Sequence, residues 1–225
     1  MSQSPLSQQS PSVKLRGVNL GGWLVLEKWM TPSVFEGLQA TDETTWCAEL
    51  GAAATQRLQQ HWNTFITRED FVWLHEHGIN AVRIPVGHWI FGADYPYHRS
   101  YGEHRYPFVE GGLAVLDRAF AWAKELGLKI VLDLHAAPGC QNGFDNGGIK
   151  DVCEWHTQTD YREHSLSVLE RLAARHVQFG RTREQALAWI AQTDEPNARR
   201  IEASAHRAGL RIGCDEVTQT FCALA

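Results

Sequence analysis

Two polar side chains lie in or at the end of short apolar runs that are expected to form strands. Arg83 lies at the end of the run 79–85, and His135 ends the run 128–135 two residues after Asp133. A histidine after an apolar strand is more often structural than catalytic, and a metal site needs more ligands than Asp133 alone supplies. The five cysteines are widely spread without a CxxC pair, so neither a zinc site nor a disulfide framework is indicated. We predict no metal and no organic cofactor.

Tryptophan is the residue type whose abundance points to a ligand class. The chain contains 9 Trp, 9 Phe and 5 Tyr, and Trp is about three times as frequent as in ordinary proteins. Indole faces stack on the apolar C–H faces of sugar rings, but they also fill protein cores, which is the commoner role of any single Trp. The composition therefore leans toward carbohydrate without establishing it.

Charge and hydropathy exclude several other partners. Lys and Arg number 21 against 26 for Asp and Glu, a formal charge of -5, so no basic surplus indicates nucleic acid or an anionic membrane. The apolar runs are much shorter than the roughly 20 residues of a membrane-spanning helix. Residues 1–13, rich in Ser, Gln and Pro, predict a disordered leader and no signal peptide. Together with reduced thiols, this favours a cytoplasmic location.

Three strands are expected from the apolar runs. Residues 14–26 predict a strand that runs into a Gly-rich turn. Residues 79–85 predict a buried strand that Pro85 ends, because proline cannot donate to a central ladder. Residues 128–135 predict a strand buried on both faces, as in a parallel sheet.

Helices are predicted between and after these strands. Residues 50–65 are rich in helix formers, and Thr67 with Asp70 predicts a capping box for a helix over residues 68–77. Two amphipathic helices follow, whose predicted buried stripes consist of Leu113, Leu116, Phe120 and Ala123 in one and of Leu166, Leu169, Leu172 and Ala173 in the other.

The alternation of strands and helices predicts an α/β protein with a parallel sheet and right-handed crossovers. Long loops follow the strands, notably residues 92–112 and 136–148, and enzymes of this class build their sites from such loops. No GxGxxG or GxxxxGK[ST] motif follows a strand, so nucleotide-binding versions of the fold are disfavoured.

Three stretches carry a family resemblance: residues 16–36 (RGVNLGGWLVLEKWMTPSVFE), 79–89 (INAVRIPVGHW) and 132–148 (LDLHAAPGCQNGFDNGG). They resemble glycoside hydrolase family 5, in its exo-β-1,3-glucanase branch, and the resemblance covers residues 15–176. It implies a (β/α)8 TIM barrel that hydrolyses a β-glucosidic bond with retention, using two glutamates. For this chain we expect a partial barrel, its first three to four βα units.

The resemblance implies a role for each polar residue of the strands. Arg83 matches an arginine beneath the nucleophile, where a guanidinium lowers the pKa of a neighbouring carboxylate. The alternative is an arginine that closes the barrel end by ion pairing. His135 matches a histidine that hydrogen-bonds the sugar preceding the cleaved bond.

The loops carry four further residues that match sugar-binding positions of the family. Glu27 matches a glutamate that accepts hydrogen bonds from hydroxyls of the terminal glucose; the alternative is a solvated charge beside Lys28. Asp145 and Asn146 match a polar pair that closes off the same subsite, a turn role being the alternative. Phe144 resembles one side of an aromatic clamp, and core packing is the alternative.

The resemblance weakens at the catalytic carboxylates. A retaining glycosidase needs two of them about 5 to 5.5 Å apart, and the family carries them at the ends of the fourth and seventh strands. The fourth-strand motif Asn-Glu-Pro has its nearest match at residues 194–196, which makes Glu195 the acid/base candidate; alternatively Glu195 opens a polar helix. No residue matches the nucleophile, since the sequence after His176 is short for the remainder of a barrel of about 250 residues.

We therefore predict three regions: a leader (1–13), the N-terminal part of a barrel (14–176) and a divergent helical tail (177–225). A reading-frame change or chimeric join would produce such a tail. Alternatively the tail forms a further helix–strand unit, since residues 209–215 echo residues 127–133.

The predicted function is hydrolysis of O-glycosyl bonds in β-glucans or their oligosaccharides, weak or absent in this chain alone. The alternatives are a non-catalytic carbohydrate-binding remnant and one half of a split enzyme. A sheet of three or four strands exposes an edge that would allow self-association or pairing with a complementing chain.

Overall fold

The structure of the protein is a computed structural model that describes residues 14–93 and 107–179, together with the backbone of two short strands between 211 and 224. The predicted leader and Glu195 lie outside the described residues. The chain divides into two compact units, Met1–Leu172 and Ala173–Ala225.

A parallel sheet organises the first unit. Its three strands are β1 (Gly17–Asn19), β2 (Ala81–Gly87) and β3 (Lys129–Ala136), in the order β1-β2-β3. In register, Asn19 is the partner of Arg83 on β2, and Arg83 is the partner of Val131 on β3. The carboxyl ends of all three strands therefore meet at one edge, as the predicted α/β class requires.

Within residues 14–93 and 107–179, five α-helices connect or flank the strands: α1 (Glu43–Leu50), α2 (Ala53–Thr64), α3 (Arg68–Glu76), α4 (Gly112–Leu126) and α5 (Thr159–Gln178). The capping box of α3 is confirmed, since the Thr67 N–H donates to Asp70 Oδ2 at 2.7 Å. In α4 the predicted residues Leu116, Phe120 and Ala123 are buried. None of the described helices is long and apolar enough to cross a membrane.

Two predicted boundaries at the start of the chain were wrong. The strand expected over residues 14–26 is only Gly17–Asn19, and beyond the Gly-rich turn Leu24 forms a single parallel bridge to Val86. The helix expected over residues 50–65 is α2, which begins only at Ala53, and Leu50 instead ends the separate helix α1. Gly51, whose φ is 54°, ends α1, because a positive φ breaks the helical ladder and glycine adopts it without a Cβ clash.

The expectation that Pro85 ends its strand was also wrong. β2 continues to Gly87 and is the central strand, with Pro85 facing Asp133 of β3. Each residue of a strand donates its N–H toward one neighbour only, so a proline removes one ladder bond and leaves the rest.

Burial differs from the sequence pattern in β3 and α5. β3 was expected to be buried on both faces, but its residues from Val131 to His135 are half-buried. Among the described residues β3 pairs only with β2. In α5, Leu172 is buried as predicted, whereas Leu166 and Leu169 are 61% and 46% exposed. The helix buries a different side, which includes His164, Ser165 and Val168.

The second unit contains β4 (Arg211–Cys214) and β5 (Phe221–Leu224), which pair antiparallel. Residues 209–215 thus contain a strand, but its described partner is antiparallel, unlike the parallel helix–strand unit that the echo of residues 127–133 suggests. The division of the tail into helices and its origin stay predictions.

Candidate functional site

The carboxyl-terminal edge of the sheet brings together side chains from all three strands and from the loops that follow them. We call this group the strand-end cluster, and it consists of Asn19, Glu27, Arg83, Asp133, His135 and Asn146. Four of its members, Glu27, Arg83, His135 and Asn146, are site residues that the sequence predicted. Parallel strands produce this convergence because their carboxyl ends all point the same way.

Arg83 links the three strands. Its Nη1 donates to Asn19 Oδ1 on β1 at 2.7 Å, and its Nη2 donates to Asp133 Oδ2 on β3 at 2.6 Å. These contacts match the ion-pairing alternative weighed for this residue. The role of tuning a catalytic nucleophile stays a prediction.

The contacts of His135 define which ring nitrogen carries the proton. Nδ1 lies 2.8 Å from Asp133 Oδ2, and a carboxylate so close requires a donor, so the proton is on Nδ1. Nε2 is then the acceptor, and the Asn146 amide Nδ2, 3.2 Å away, donates to it. Asn142 fixes the orientation of that amide by donating to Asn146 Oδ1 at 3.1 Å.

Glu27 is buried beside this histidine. Its side chain is only 6% exposed, its Oε1 lies 3.9 Å from His135 Nε2, and its Oε2 accepts from the Trp29 indole at 3.0 Å. Lys28 turns away, donating from Nζ to Ala40 O at 2.7 Å. The alternative that Glu27 is a solvated charge was therefore wrong.

The space between Glu27 and His135 suits a hydroxyl group. Glu27 Oε1 lies 3.9 Å from His135 Nε2, too far for a hydrogen bond between them, and the one lone pair of Nε2 already accepts from the Asn146 amide. A ligand hydroxyl beside the histidine can therefore donate to Glu27 Oε1. The Asn146 amide adds a donor at the same place, so the cluster offers the mixture of acceptors and donors that a polyhydroxylated ligand needs.

Two exposed aromatic side chains adjoin these polar groups. Trp29, whose indole donates a hydrogen bond to Glu27, is 69% exposed. Phe144, two residues before Asn146, is 65% exposed. The alternative that Phe144 packs in the core was therefore wrong. Exposed aromatic faces beside buried hydrogen-bonding groups are an arrangement suited to sugar rings, which have apolar faces and polar edges.

Asp145 does not join the cluster through any described side-chain contact. It begins the short 3-10 turn Asp145–Gly147, and its carbonyl accepts from the Gly148 N–H at 2.9 Å. The structure thus gives it the turn role weighed as the alternative, and that turn carries Asn146 to His135. Gln141 holds the same loop, since its amide donates to the His135 carbonyl at 2.7 Å.

Sequence reasoning did not assign Asn19, Asp133 or Asn142 to the site. Asp133 could have been found, because residues two apart in a strand share a face and Asp133 stands two before His135. Asn19 and Asn142 had no comparable signal. Their roles depend on the strand register and on the path of the loop.

The described cluster does not contain two carboxylates that face one gap. Asp133 lies on the Nδ1 side of the His135 ring, bound to that nitrogen and to Arg83, while Glu27 lies on the Nε2 side. Among the residues that the structure describes, no group of three His, Cys, Asp or Glu side chains could hold a metal ion. The described part of the site is therefore suited to binding a hydroxylated ligand by hydrogen bonds.

The chain is a homologue of glycoside hydrolases. It is 50% identical over 167 residues to the probable glucan 1,3-beta-glucosidase A of Emericella nidulans, covering 73% of this chain and 39% of that protein. It is 44% identical over 202 residues to the protein of the same name from Aspergillus fumigatus, covering 88% and 44%. The Blumeria graminis glucan 1,3-beta-glucosidase is 45% identical over 168 residues, covering 72% and 37%. The chain thus spans less than half the length of these curated relatives.

Solved structures support the α/β fold. The rutinosidase from Aspergillus niger superposes with a TM-score of 0.65 at 22% identity, covering 85% of this chain and 60% of that one. The crystal structure of AoRut superposes with a TM-score of 0.63 at 27% identity, covering 75% of this chain and 46% of that one. No protein-family model matches the chain.

Proposed function

We propose that the strand-end cluster binds the terminal glucosyl unit of a β-1,3-glucan or a related β-glucoside, as the sugar-binding part of a retaining glycosidase site. The observation that carries this proposal is the buried acceptor Glu27 Oε1, which lies 3.9 Å from His135 Nε2 and beside an exposed indole. The names of the relatives support β-1,3-glucan as the substrate.

The finer classification belongs to the same proposal. We assign the chain to glycoside hydrolase family 5 and its sheet to the first strands of a (β/α)8 barrel. The parallel order β1-β2-β3 supports this, since consecutive barrel strands are neighbours. In such a barrel Arg83 would act beneath a nucleophile, and Glu195 would be the acid/base group.

The first test is binding of laminaritriose, measured by isothermal titration calorimetry with the wild-type chain and with Glu27→Gln. The amide replaces an acceptor oxygen by a donor, so a hydroxyl that donates to Glu27 loses its partner. We expect the affinity to fall at least tenfold, which corresponds to about 1.4 kcal/mol. Glu36→Gln is the matched control, because Glu36 is an exposed glutamate after the 3-10 turn Pro32–Phe35. It should bind like the wild type.

Two results would contradict the proposal: no laminaritriose binding by the wild type, or equal binding by the two glutamine variants. Maltotriose, an α-linked trisaccharide of the same sugar, tests whether the site prefers the β-linkage. Equal affinities for the two trisaccharides would refute the β-glucan assignment while keeping a sugar site.

A non-catalytic sugar-binding protein is the second candidate, favoured by the described cluster having no facing pair of carboxylates. A glucose-release assay beside the titration separates the two. If glucose is released, Glu195→Gln should abolish the release while leaving binding intact. Binding with no release by the wild type would favour the second candidate.

A further inference from the structure

The amino-terminal turn of α1 contacts the loops that follow all three strands. Glu43 Oε2 accepts from the Leu26 N–H at 2.8 Å, in the loop after β1. The Glu43 carboxylate also accepts from the Trp89 indole, in the loop after β2. Thr44 donates from its N–H and its hydroxyl to the Gly148 carbonyl, at 3.0 and 2.6 Å, in the loop after β3.

A second set of contacts strengthens the same connection. Asp42, the N-cap of α1, accepts from the Lys150 N–H at 3.1 Å. Val25, Trp89 and Ala136 form one buried apolar cluster, each beyond or at the end of a different strand. The three loops are thus packed together, and their polar contacts converge on residues 42–44.

Glu43 is an unusual choice of residue for this position. Its side chain is 1% exposed, and no ion pair involves it in the described part of the chain. Burial raises its pKa to about 7, although the Leu26 and Trp89 hydrogen bonds oppose that rise. A buried carboxyl group is costly, whereas an apolar side chain of similar volume would fill the same space without that cost. Stability alone therefore does not account for a glutamate there.

We propose that Glu43 is a positioning residue for the glucosyl site, and this inference rests on the proposed function. Its carboxylate fixes Leu26, so that the next residue, Glu27, presents its Oε1 toward His135. Through Trp89, it also supports the loop that carries Asn146. A Cβ added at Gly148, two residues after Asn146, would lie 2.6 Å from the Trp89 ring, so this loop follows the position of the indole.

Glu43→Met and Glu43→Gln test the inference. Methionine keeps the volume but accepts no hydrogen bond from Leu26 or Trp89. Glutamine keeps one acceptor oxygen, which can serve the Leu26 N–H. We expect the methionine variant to bind laminaritriose at least tenfold more weakly than the wild type, and the glutamine variant to recover most of that loss.

Glu49→Met is the matched control on the same helix. Glu49 also accepts from two backbone N–H groups, those of Gln39 and Ala40 at 3.0 and 2.8 Å, but neither residue belongs to the strand-end cluster. It should leave the laminaritriose affinity unchanged. An equal loss in Glu43→Met and Glu49→Met would overturn the inference, because the effect would then be general destabilisation.

Hydrogen exchange of the ligand-free protein provides a readout that does not depend on sugar. In Glu43→Met, the Leu26 amide and the backbone amides of residues 146–150 should exchange at least tenfold faster, and in Glu49→Met they should not. Unchanged exchange at these amides would overturn the positioning role even if sugar binding falls. If the wild type binds no laminaritriose, the proposed function fails, and the exchange result still decides whether Glu43 fixes the loops.

Discussion

At the scale of single residues, the site depends on one chain of oriented hydrogen bonds. Asn142 orients Asn146, Asn146 donates to His135 Nε2, and His135 donates from Nδ1 to Asp133. The short contact with Asp133 and the Asn146 amide on the other side of the ring favour one orientation and one tautomer of His135. Glu27 Oε1 is the acceptor that remains for a ligand beside the ring.

Asn146→Ala should weaken laminaritriose binding about tenfold, or about 1.4 kcal/mol, since it removes a hydrogen-bond donor from the gap and frees the His135 ring. The melting temperature should change little, because Asn146 is only half-buried. Asn63→Ala is the control, since Asn63 lies on the exposed surface of α2 and contacts Arg118. Calorimetric titration of the two variants checks the prediction. A loss of affinity no larger in Asn146→Ala than in Asn63→Ala would exclude Asn146 from the site.

Sequence reasoning worked best for residues that occupy strand ends. Arg83 and His135, like Glu27 and Asn146, were found because they stand in motifs of the resemblance, and the position of the first two in apolar runs agreed with it. Glu43 was missed, since a glutamate near the start of a helix is usually solvent-exposed. Its burial arises only after α1 packs against three loops that are distant in sequence, and no local pattern records that packing.

At the scale of elements, the three loops behave as one layer held by α1. Gly148 is central to that layer, because its φ is 83° and its position faces the Trp89 ring. Gly148→Ala should lower the free energy of unfolding by about 3 kcal/mol, from the left-handed backbone and from the overlap with the indole.

Gly127→Ala is the control for the backbone part of that loss. Gly127 has a φ of 70° at the end of α4, and an added Cβ there would meet nothing within 4 Å. Gly127→Ala should lower the free energy of unfolding by only about 1 kcal/mol. Urea unfolding of both variants measures the difference, and equal losses would mean that the loop moves away from Trp89 without cost.

Glu43 should also make stability depend on pH. Its pKa is about 7 in the folded protein, raised from 4.5 chiefly by burial. Between these values the folded state binds more protons than the unfolded state, so stability falls as the pH rises. Ionisation of Glu43 lowers the free energy of unfolding by an amount on the order of 3 kcal/mol, and this loss is complete slightly above pH 7.

Glu43→Gln isolates that contribution. Burial lowers the pKa values of His61 and His88, so they act in the opposite sense, with stability lost as the pH falls below about 6.5. Both histidines are present in both proteins, as are the Asp42 carboxyl and the Cys47 thiol near Glu43, and their contributions largely cancel. The wild-type stability minus the variant stability should decrease between pH 4.5 and 7. A constant difference across urea titrations in this range would contradict the raised pKa.

At the scale of the whole molecule, the parallel order of the strands could be predicted from the alternation of apolar runs and amphipathic helices. The sides that the helices bury were harder to predict. In α5 the apolar residues do not form a single stripe, since Val168 and Leu172 are buried while Leu166 and Leu169 face outward. Periodicity shows that a helix is amphipathic, but the partner surface selects which of two adjacent apolar rows is covered.

That outward row predicts how the protein behaves at high concentration. Leu166 and Leu169 lie three residues apart on α5 and form a small exposed apolar patch. Such a patch promotes association between copies. In sedimentation velocity experiments the wild type should therefore show a larger weight-average mass as its concentration rises from about 5 to 200 μM.

The double substitution Leu166→Gln and Leu169→Gln should reduce that increase without lowering the melting temperature. Leu15→Gln, at a leucine 38% exposed elsewhere on the surface, is the control and should not reduce it. If the double variant associates as strongly as the wild type, α5 is not the associating surface, and a wild type that stays monomeric over this range would refute the prediction altogether.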